Sequence, residues 1–286
     1  MTRDIFDILL GRLRKGDNLQ WFIATTTRGK SWFYEIIKEE GLLDIFDKNT
    51  RLVSNDYLKV IRAVIDESPF LTKEYIQDLR KQYTSKLQAQ ELEALIIEDE
   101  GEILSPSWLR VMNLPYPTTG VRYWDLAVST KDAADNSAGC LMTKASNKFN
   151  VINIKRVKLA YPDLKKLIID TAHSDGVGVT IYIEEAGQQR AIIDDLRASP
   201  DLYRHVIKAH RPTKDKVTRC YPLASQAELG NVYVNDEPWL KDLKDELSVF
   251  SVESVAKGNT KNDMVDSMTG AYHCLAKSST IQFGNI

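Results

Sequence analysis

Apolar runs and amphipathic stretches alternate regularly along the chain after residue 120. Runs rich in Val, Ile and Tyr predict β-strands, and apolar residues recurring every three to four positions predict helices. Two closely linked strand pairs followed by alternating helices and strands predict an α/β fold with a mixed sheet, antiparallel first and parallel later. The predicted strands are 121–128, 137–145, 149–160, 178–185, 203–209 and 231–234, and the predicted helices are 162–174, 188–198, 214–229, 239–250 and 263–277.

The first third of the chain has a different pattern, dominated by helical spacing. It predicts helices over 4–15, 31–40, 72–83 and 85–97 and one apolar strand over 19–24. Pro106, Pro115, Pro117 and Gly120 then interrupt any regular element and indicate a linker. We therefore predict two domains, residues 1–115 and residues 116–286.

One segment of the first domain is similar to a phosphate-binding loop. Ala-Thr-Thr-Thr-Arg-Gly-Lys-Ser over 24–31 fits the loose form of that loop, and the acidic end of 94–100 could serve as a magnesium-binding strand. However, the chain before Ala24 has room for only one helix and one strand, and no further α/β unit follows Ile97. A strand-to-helix turn in which Thr25–Thr27 cap the next helix is the favoured interpretation.

Composition limits the function without naming it. The 38 basic and 40 acidic residues give a net charge of −2, so any contact with nucleic acid must use a local basic patch. Cys140, Cys220 and Cys274 are odd in number and widely spaced, which indicates reduced core thiols. A signal-peptide layout and an apolar run of roughly 18 residues are both missing, so we expect a cytoplasmic protein without a membrane span.

Acidic residues at the ends of three predicted elements are the candidate chemistry. Asp125 lies in the apolar run 121–128, where an uncompensated carboxylate would cost on the order of several kcal/mol. Glu184 and Glu185 end another strand, and Asp263 and Asp266 open the last helix. Acids that meet at one place repel each other unless a cation lies between them, and hard oxygen ligands favour Mg²⁺ or Mn²⁺. The hypothesis is a phosphodiester-cleaving site with two metal ions.

The acids are not equivalent candidates. Glu184 is preferred over Glu185 because neighbouring side chains of a strand point to opposite faces. Asp263 and Asp266 share a helix face, although acids at a helix start also simply favour the helix dipole. Asp132 and Asp135 lie in a predicted turn, where aspartates are common, and Asp135 is also a candidate accessory ligand together with Glu185.

A basic cluster follows the strand at 203–209. It is either a solvated helix face or a site for DNA phosphates, which positions nucleic acid without reading sequence. Of the four histidines, His173, His205 and His273 are interpreted as structural, whereas His210 belongs to the cluster. The cluster contains His210, Arg211, Lys214, Lys216 and Arg219.

Taken in order, these motifs resemble the nuclease half of the large terminase subunit of tailed bacteriophages. The resemblance covers 121–277 and implies a ribonuclease H-like fold in which Asp125, Glu184 and Asp263 are the primary metal ligands and Asp266 an additional one. The family often has two adjacent aspartates where this chain has Asn262 followed by Asp263. The matching motifs are Trp-Asp-Leu-Ala at 124–127, Asp-Asn-Ser at 135–137, Ile-Glu-Glu-Ala-Gly at 183–187, Lys216 with Arg219, Gly-Asn-Val-Tyr-Val at 230–234 with Trp239, and Asn-Asp-Met-Val-Asp at 262–266.

Residues 1–110 resemble the last third of the packaging ATPase of the same family. By this resemblance both nucleotide-binding motifs lie upstream of Met1, so the chain is expected to be a split or truncated prophage gene product or an excised piece, without ATPase activity of its own. The expected fold is therefore a mixed-sheet nuclease domain preceded by a smaller α/β remnant of a P-loop ATPase domain.

The resemblance also implies an activity and partners. The expected activity is metal-dependent endonucleolytic cutting of concatemeric viral DNA with little sequence preference. The expected partners are double-stranded DNA, the small terminase subunit and the portal. Two alternatives stay open: a junction resolvase or transposase-like nuclease of the same fold, and a prophage remnant without catalysis that binds DNA or assembles.

Overall fold

The structure, a computed structural model, divides into two compact units, Met1–Gly101 and Glu102–Ile286. The residues that the structure describes are 3–12, 17, 19–26, 31–96, 103–127, 136–185, 189–258 and 261–277.

The first unit is mainly helical. A small core formed by Ile37, Ile45 and Val60 joins its second helix to a two-stranded antiparallel hairpin. The guanidinium of Arg62, which is 5% exposed, donates to the backbone carbonyls of Thr50 and Glu93. The elements are α1 (Arg3–Leu10), α2 (Trp32–Glu39), β1 (Leu52–Ser54), β2 (Lys59–Ile61), α3 (Lys73–Gln82) and α4 (Ser85–Leu87), which continues as a π-helical turn over Gln88–Leu92.

Three local predictions for this unit are wrong. Residues 19–26 form no regular element, and Phe22 is 86% exposed, because the hairpin is the only sheet among the described residues of the unit and a strand needs a neighbour for its backbone. The predicted helix 85–97 ends at Leu92, and Ala94 has a positive φ of 49°. Ser31, not Thr25–Thr27, occupies the N-cap position of α2. Residues 27–30 and 97–100, which complete the two ATPase-like motifs, lie outside the described residues.

The second unit contains a seven-stranded sheet of order β3-β9-β6-β5-β4-β7-β8. The pairs β4·β5 and β5·β6 are antiparallel, whereas β4·β7, β7·β8, β6·β9 and β3·β9 are parallel. The predicted mixed sheet is therefore confirmed. The strands are β3 (Arg110–Met112), β4 (Gly120–Asp125), β5 (Ser137–Ala145), β6 (Lys148–Val157), β7 (Val179–Glu184), β8 (Ile207–His210) and β9 (Val232–Asn235).

Helices cover both faces of this sheet, which explains why its central strands are apolar on both sides. Tyr123 and Trp124 are neighbours in β4 and are both fully buried, because alternate side chains enter the two different cores. Helices α5 and α6 pack on the Trp124 side, and α7, α8 and α10 pack on the Tyr123 side. The helices are α5 (Tyr161–Asp175), α6 (Gln189–Arg197), α7 (Lys216–Glu228), α8 (Trp239–Val249), α9 (Val252–Ala256) and α10 (Asp263–Lys277).

Helix α10 lies unusually close to the sheet. At Gly270 a Cβ atom would come within 2.2 Å of Cε1 of the Tyr123 ring, so a side chain at this position would push the helix away from β4. The missing side chain at Gly270 thus sets the distance between α10 and the central strand.

The proline-rich interval predicted as a linker contributes to the second unit. Leu104 and Leu109 are buried in its core, and β3 pairs with β9 at the edge of the sheet. The contacts therefore divide the chain at Gly101/Glu102, earlier than the predicted boundary at residues 115 and 116. Prolines interrupt a helix but do not prevent the segment between them from pairing as an edge strand.

Two smaller predictions concern the thiols and the membrane. Cys140, Cys220 and Cys274 are buried thiols, as predicted. Within the described ranges, each helix is too short or too polar to span a bilayer.

Candidate active site

Two of the predicted acids end adjacent parallel strands. Asp125 is the last residue of β4 and Glu184 the last residue of β7, and the register pairs Trp124 with Ile183 just before them. The carboxyl ends of parallel strands are the usual place for a ligand in an open α/β sheet. Glu185 follows the strand, and its Oε1 atom lies 3.9 Å from Nη1 of Arg190.

The other two acids lie in the first turn of α10. The side chain of Asp266 is only 3% exposed, and its Oδ2 atom accepts a hydrogen bond from Nζ of Lys216. Oδ2 of Asp263 accepts from Nδ2 of Asn136 at 3.2 Å. Both aspartates are therefore held by side chains from other parts of the unit.

Two cations of the predicted basic cluster lie between the acids. Nη1 of Arg219 is 3.1 Å from Oε2 of Glu184, and its Nη2 is 3.9 Å from Oδ1 of Asp266. Nζ of Lys216 also donates to Oδ1 of Asn262 at 3.2 Å. As the side chains lie, the described part of the chain contains no group of three His, Cys, Asp or Glu residues that could hold a metal ion.

Negative charge nevertheless exceeds positive charge at this end of the sheet. Burial raises the pKa of Asp125 to about 7, helped by repulsion from Glu184, Asp266 and Asp263 and opposed by Lys216. Burial also raises the pKa of Asp266, against the attraction of Lys216 and Arg219. Lys216 and Arg219 thus reduce the repulsion without cancelling it.

The donors present fit a hard divalent cation. All four acids offer carboxylate oxygens, which Mg²⁺ and Mn²⁺ prefer over nitrogen or sulfur. Burial, with repulsion from neighbouring acids, raises the pKa of Asp125 although Lys216 opposes the shift, so a further cation beside this carboxylate would favour its charged form. Asp125, Glu184, Asp263 and Asp266 are therefore the residues that could hold metal here.

Tyr123 is a site residue that the sequence reasoning missed. Its hydroxyl donates to Oε2 of Glu184 at 2.9 Å and lies 2.9 Å from Nδ1 of His210. A usable signal was present, because Tyr123 precedes Asp125 by two positions and side chains two apart share one face of a strand. His210 accordingly contacts a buried tyrosine at the site.

Glu246 is a second residue that was missed. Its side chain, 5% exposed, accepts backbone N–H bonds from Met264 at 3.0 Å and Val265 at 3.3 Å, while its other oxygen accepts from Arg156 at 2.8 Å. It therefore holds the start of α10, where free N–H groups need acceptors. A charged residue inside the apolar stripe of α8 was the available signal.

The remaining predicted residues are dispersed. Arg211 and Lys214 are exposed before α7 begins, so the predicted basic cluster is split between the solvent and the acids. Nε2 of His173 lies 2.9 Å from the Asp201 carbonyl, and Nε2 of His273 lies 2.8 Å from the Arg219 carbonyl. Asp132 and Asp135 lie outside the described residues.

Solved structures that resemble the chain include viral terminases. The large terminase from a thermophilic bacteriophage is 15% identical in one crystal form, with a TM-score of 0.52 over 87% of this chain and 60% of that one. A second crystal form is 14% identical, with a TM-score of 0.50 over 74% of this chain and 55% of that one. The chain thus matches little more than half the length of that terminase.

A large terminase nuclease from a thermophilic phage is 17% identical over 60% of this chain and 98% of its own, with a TM-score of 0.45. No curated protein matches the chain in sequence. Residues 122–275 match the family model described as the terminase RNaseH-like domain, which is more than half of the chain. The predicted ribonuclease H-like fold is confirmed, and the chain belongs to the terminase family through this domain.

Proposed function

We propose that the second unit is a divalent-metal-dependent endonuclease that cuts double-stranded DNA during phage DNA packaging, with little sequence preference. The observation that carries the proposal is the meeting of carboxylates from β4, β7 and α10, whose mutual repulsion helps to raise the pKa of Asp125. Membership of the terminase family supports DNA packaging as the process.

In this proposal Asp125, Glu184 and Asp263 would hold two Mg²⁺ or Mn²⁺ ions, with Asp266 as an additional ligand. The bound ions would supply a reactive water and stabilise the leaving 3′-oxygen of a phosphodiester. Asp135 and Glu185 are proposed as accessory ligands. The contribution of the protein is geometry and charge.

The other side chains of the site have positioning and binding roles in this proposal. The hydroxyl of Tyr123 and the guanidinium of Arg219 both contact Oε2 of Glu184 and fix the orientation of that carboxylate. Asn136 holds Asp263 in the same way. The exposed Arg211 and Lys214 would contact DNA phosphates without reading base sequence.

The first unit is proposed to be the end of a packaging ATPase domain. The terminase match that covers 87% of the chain supports this assignment. We propose no ATPase activity for the chain alone. Binding of the small terminase subunit and the portal, and a location in the host cytoplasm, belong to the same proposal.

Cleavage of supercoiled plasmid in Mg²⁺ or Mn²⁺ tests the nuclease. The unsubstituted chain should nick and linearise the plasmid, and Asp125→Ala and Asp263→Ala should abolish both reactions. Asp170→Ala, which removes an exposed carboxylate from α5, is the matched control and should cut normally. Absence of cutting in either metal, with no metal-induced rise in Tm, would favour a remnant that binds DNA or assembles. Faster cutting of a four-way junction than of linear DNA would favour a resolvase.

A further inference from the structure

The ammonium of Lys216 contacts a carboxylate, Asp266, that a metal ion would need as a ligand. Its Nζ atom donates to Asp266 and Asn262, both at the start of α10. We propose that Lys216 is the resident counter-ion of the metal-free site and competes with a divalent cation for Asp266. This inference rests on the proposed function, because it assumes that the acids bind metal.

The burial of Asp266 makes a protein cation necessary. With 3% of its side chain exposed, its carboxylate cannot rely on water for compensation, and an uncompensated buried charge is costly. Lys216 satisfies one oxygen by a direct hydrogen bond, whereas Arg219 approaches the other only to 3.9 Å. Lys216 is therefore the main partner of this carboxylate.

Of the two cations, Lys216 is the one that can leave. Its side chain is 45% exposed, so its ammonium can return to water by rotation of a flexible stem. The side chain of Arg219 is 8% exposed and is also paired with Glu184 at 3.1 Å. If Arg219 moved away, Glu184 would lose its cation as well. Asn262, the other contact of Lys216, is a neutral amide and holds the ammonium less strongly than a carboxylate would.

A divalent ion and the ammonium cannot share Asp266 without strong repulsion, because the two like charges would lie within a few ångströms. Metal binding therefore displaces Lys216 toward the solvent. The released ammonium stays tethered at the start of α7, close to where the exposed Lys214 is already available to phosphates.

The first test compares Mn²⁺ binding by the unsubstituted chain, by Lys216→Gln and by Lys214→Gln, with free Mn²⁺ measured by electron paramagnetic resonance at constant pH and ionic strength. Both variants lose one positive charge, two positions apart. We expect Lys216→Gln to bind Mn²⁺ about tenfold more tightly, within the usual range of coupling between two binding events. We expect Lys214→Gln to change the affinity by less than about twofold, because screening by salt weakens an exposed charge. Equal or weaker binding by Lys216→Gln than by Lys214→Gln would overturn the proposal.

A second measurement needs no variant and so avoids any loss of folding. Lysine acylation of the unsubstituted chain is followed by mass spectrometry with and without saturating Mn²⁺. Lys216 should be acylated slowly without metal and several-fold faster with it, because the ion pair with Asp266 is broken, while Lys214 should not change. A Lys216 rate that stays constant or falls when Mn²⁺ binds contradicts displacement.

The two proposals fail in different ways. If neither the unsubstituted chain nor Asp125→Ala binds Mn²⁺ and no plasmid is cut, the nuclease assignment fails and the role of Lys216 fails with it. If the chain binds Mn²⁺ and cuts DNA but Lys216→Gln binds Mn²⁺ no more tightly, only the role of Lys216 is refuted.

Discussion

Two buried groups of charged side chains in the second unit differ in whether their positive and negative charges balance. In the first, Arg122 and Asp175 are each 1% exposed and make two hydrogen bonds of 2.7 Å, and Tyr116 donates to the same carboxylate. One cation there meets one anion. At the candidate active site, four acids share two cations, and burial together with repulsion between the acids raises the pKa of Asp125 to about 7. In the balanced pair each buried charge is compensated by the other. At the candidate active site the acids outnumber the cations, so the site favours the binding of a further cation.

The largest predicted effect comes from breaking the balanced pair. Asp175→Ala leaves the guanidinium of Arg122 buried without its anion, which should lower the free energy of unfolding by about 3–5 kcal/mol. Urea denaturation monitored by tryptophan fluorescence measures the change. Glu253→Gln, which breaks the exposed pair with Lys257, is the control and should leave the urea midpoint unchanged. Equal midpoints for the two variants would show that burial does not distinguish these pairs.

The next largest effect should follow from removing the acceptor that holds α10. Glu246→Ala leaves the N–H groups of Met264 and Val265 and the Arg156 guanidinium without this partner, so we expect a loss of about 2–4 kcal/mol. Glu246→Gln keeps one acceptor oxygen and should lose less. Both values come from urea denaturation without metal, and a Gln variant as unstable as the Ala variant would argue against the hydrogen bonds as the cause.

Charge excess at the site should appear as a dependence of stability on pH. Asp125 has a folded pKa of about 7, above the value of about 3.9 in an unfolded chain. Its contribution to stability is therefore greatest at low pH and falls as the pH rises from about 4 to about 7. Asp125→Asn removes this fall, so in EDTA the variant should gain a few kcal/mol, at most about 4 kcal/mol, over the unsubstituted chain at pH 8 and almost nothing at pH 4.

Metal should reverse that difference. At pH 8 with saturating Mn²⁺, the unsubstituted chain gains binding energy that Asp125→Asn largely lacks, so its Tm should become the higher of the two. A variant that remains the more stable one in Mn²⁺ would indicate that Asp125 is not a ligand.

The smallest predicted effect concerns the hydroxyl of Tyr123. Tyr123→Phe keeps the ring under Gly270 but loses the hydrogen bond to Glu184, which should cost about 1 kcal/mol of stability. Plasmid cleavage should slow several-fold with little change in KM, because Glu184 loses a fixed orientation. A change confined to KM would indicate a role in DNA binding.

The sequence allowed the sheet and the strand-end acids to be predicted because both depend on local pattern. Alternation along β7 also favoured Glu184 over Glu185, and Glu184 is the one in contact with Tyr123 and Arg219. The metal-ligand roles of both stay predictions.

What the sequence did not reveal depends on contacts between distant elements. Lys216 and Arg219 looked like part of an exposed basic face, but the packing of α7 beside α10 brings them onto Asp266 and Glu184. Glu246 reaches α10 across 18 residues of sequence for the same reason. The strand predicted over 19–24 failed because an apolar run does not tell whether a partner strand exists.

The close packing at Gly270 also bears on how related chains should be compared. The spacing between α10 and β4 determines how far Asp263 and Asp266 lie from Asp125 and Glu184, and any side chain at position 270 would widen it. A relative could therefore keep all four acids and still lose the site through one added methyl group. Position 270 should therefore be compared together with the four acids when related chains are aligned.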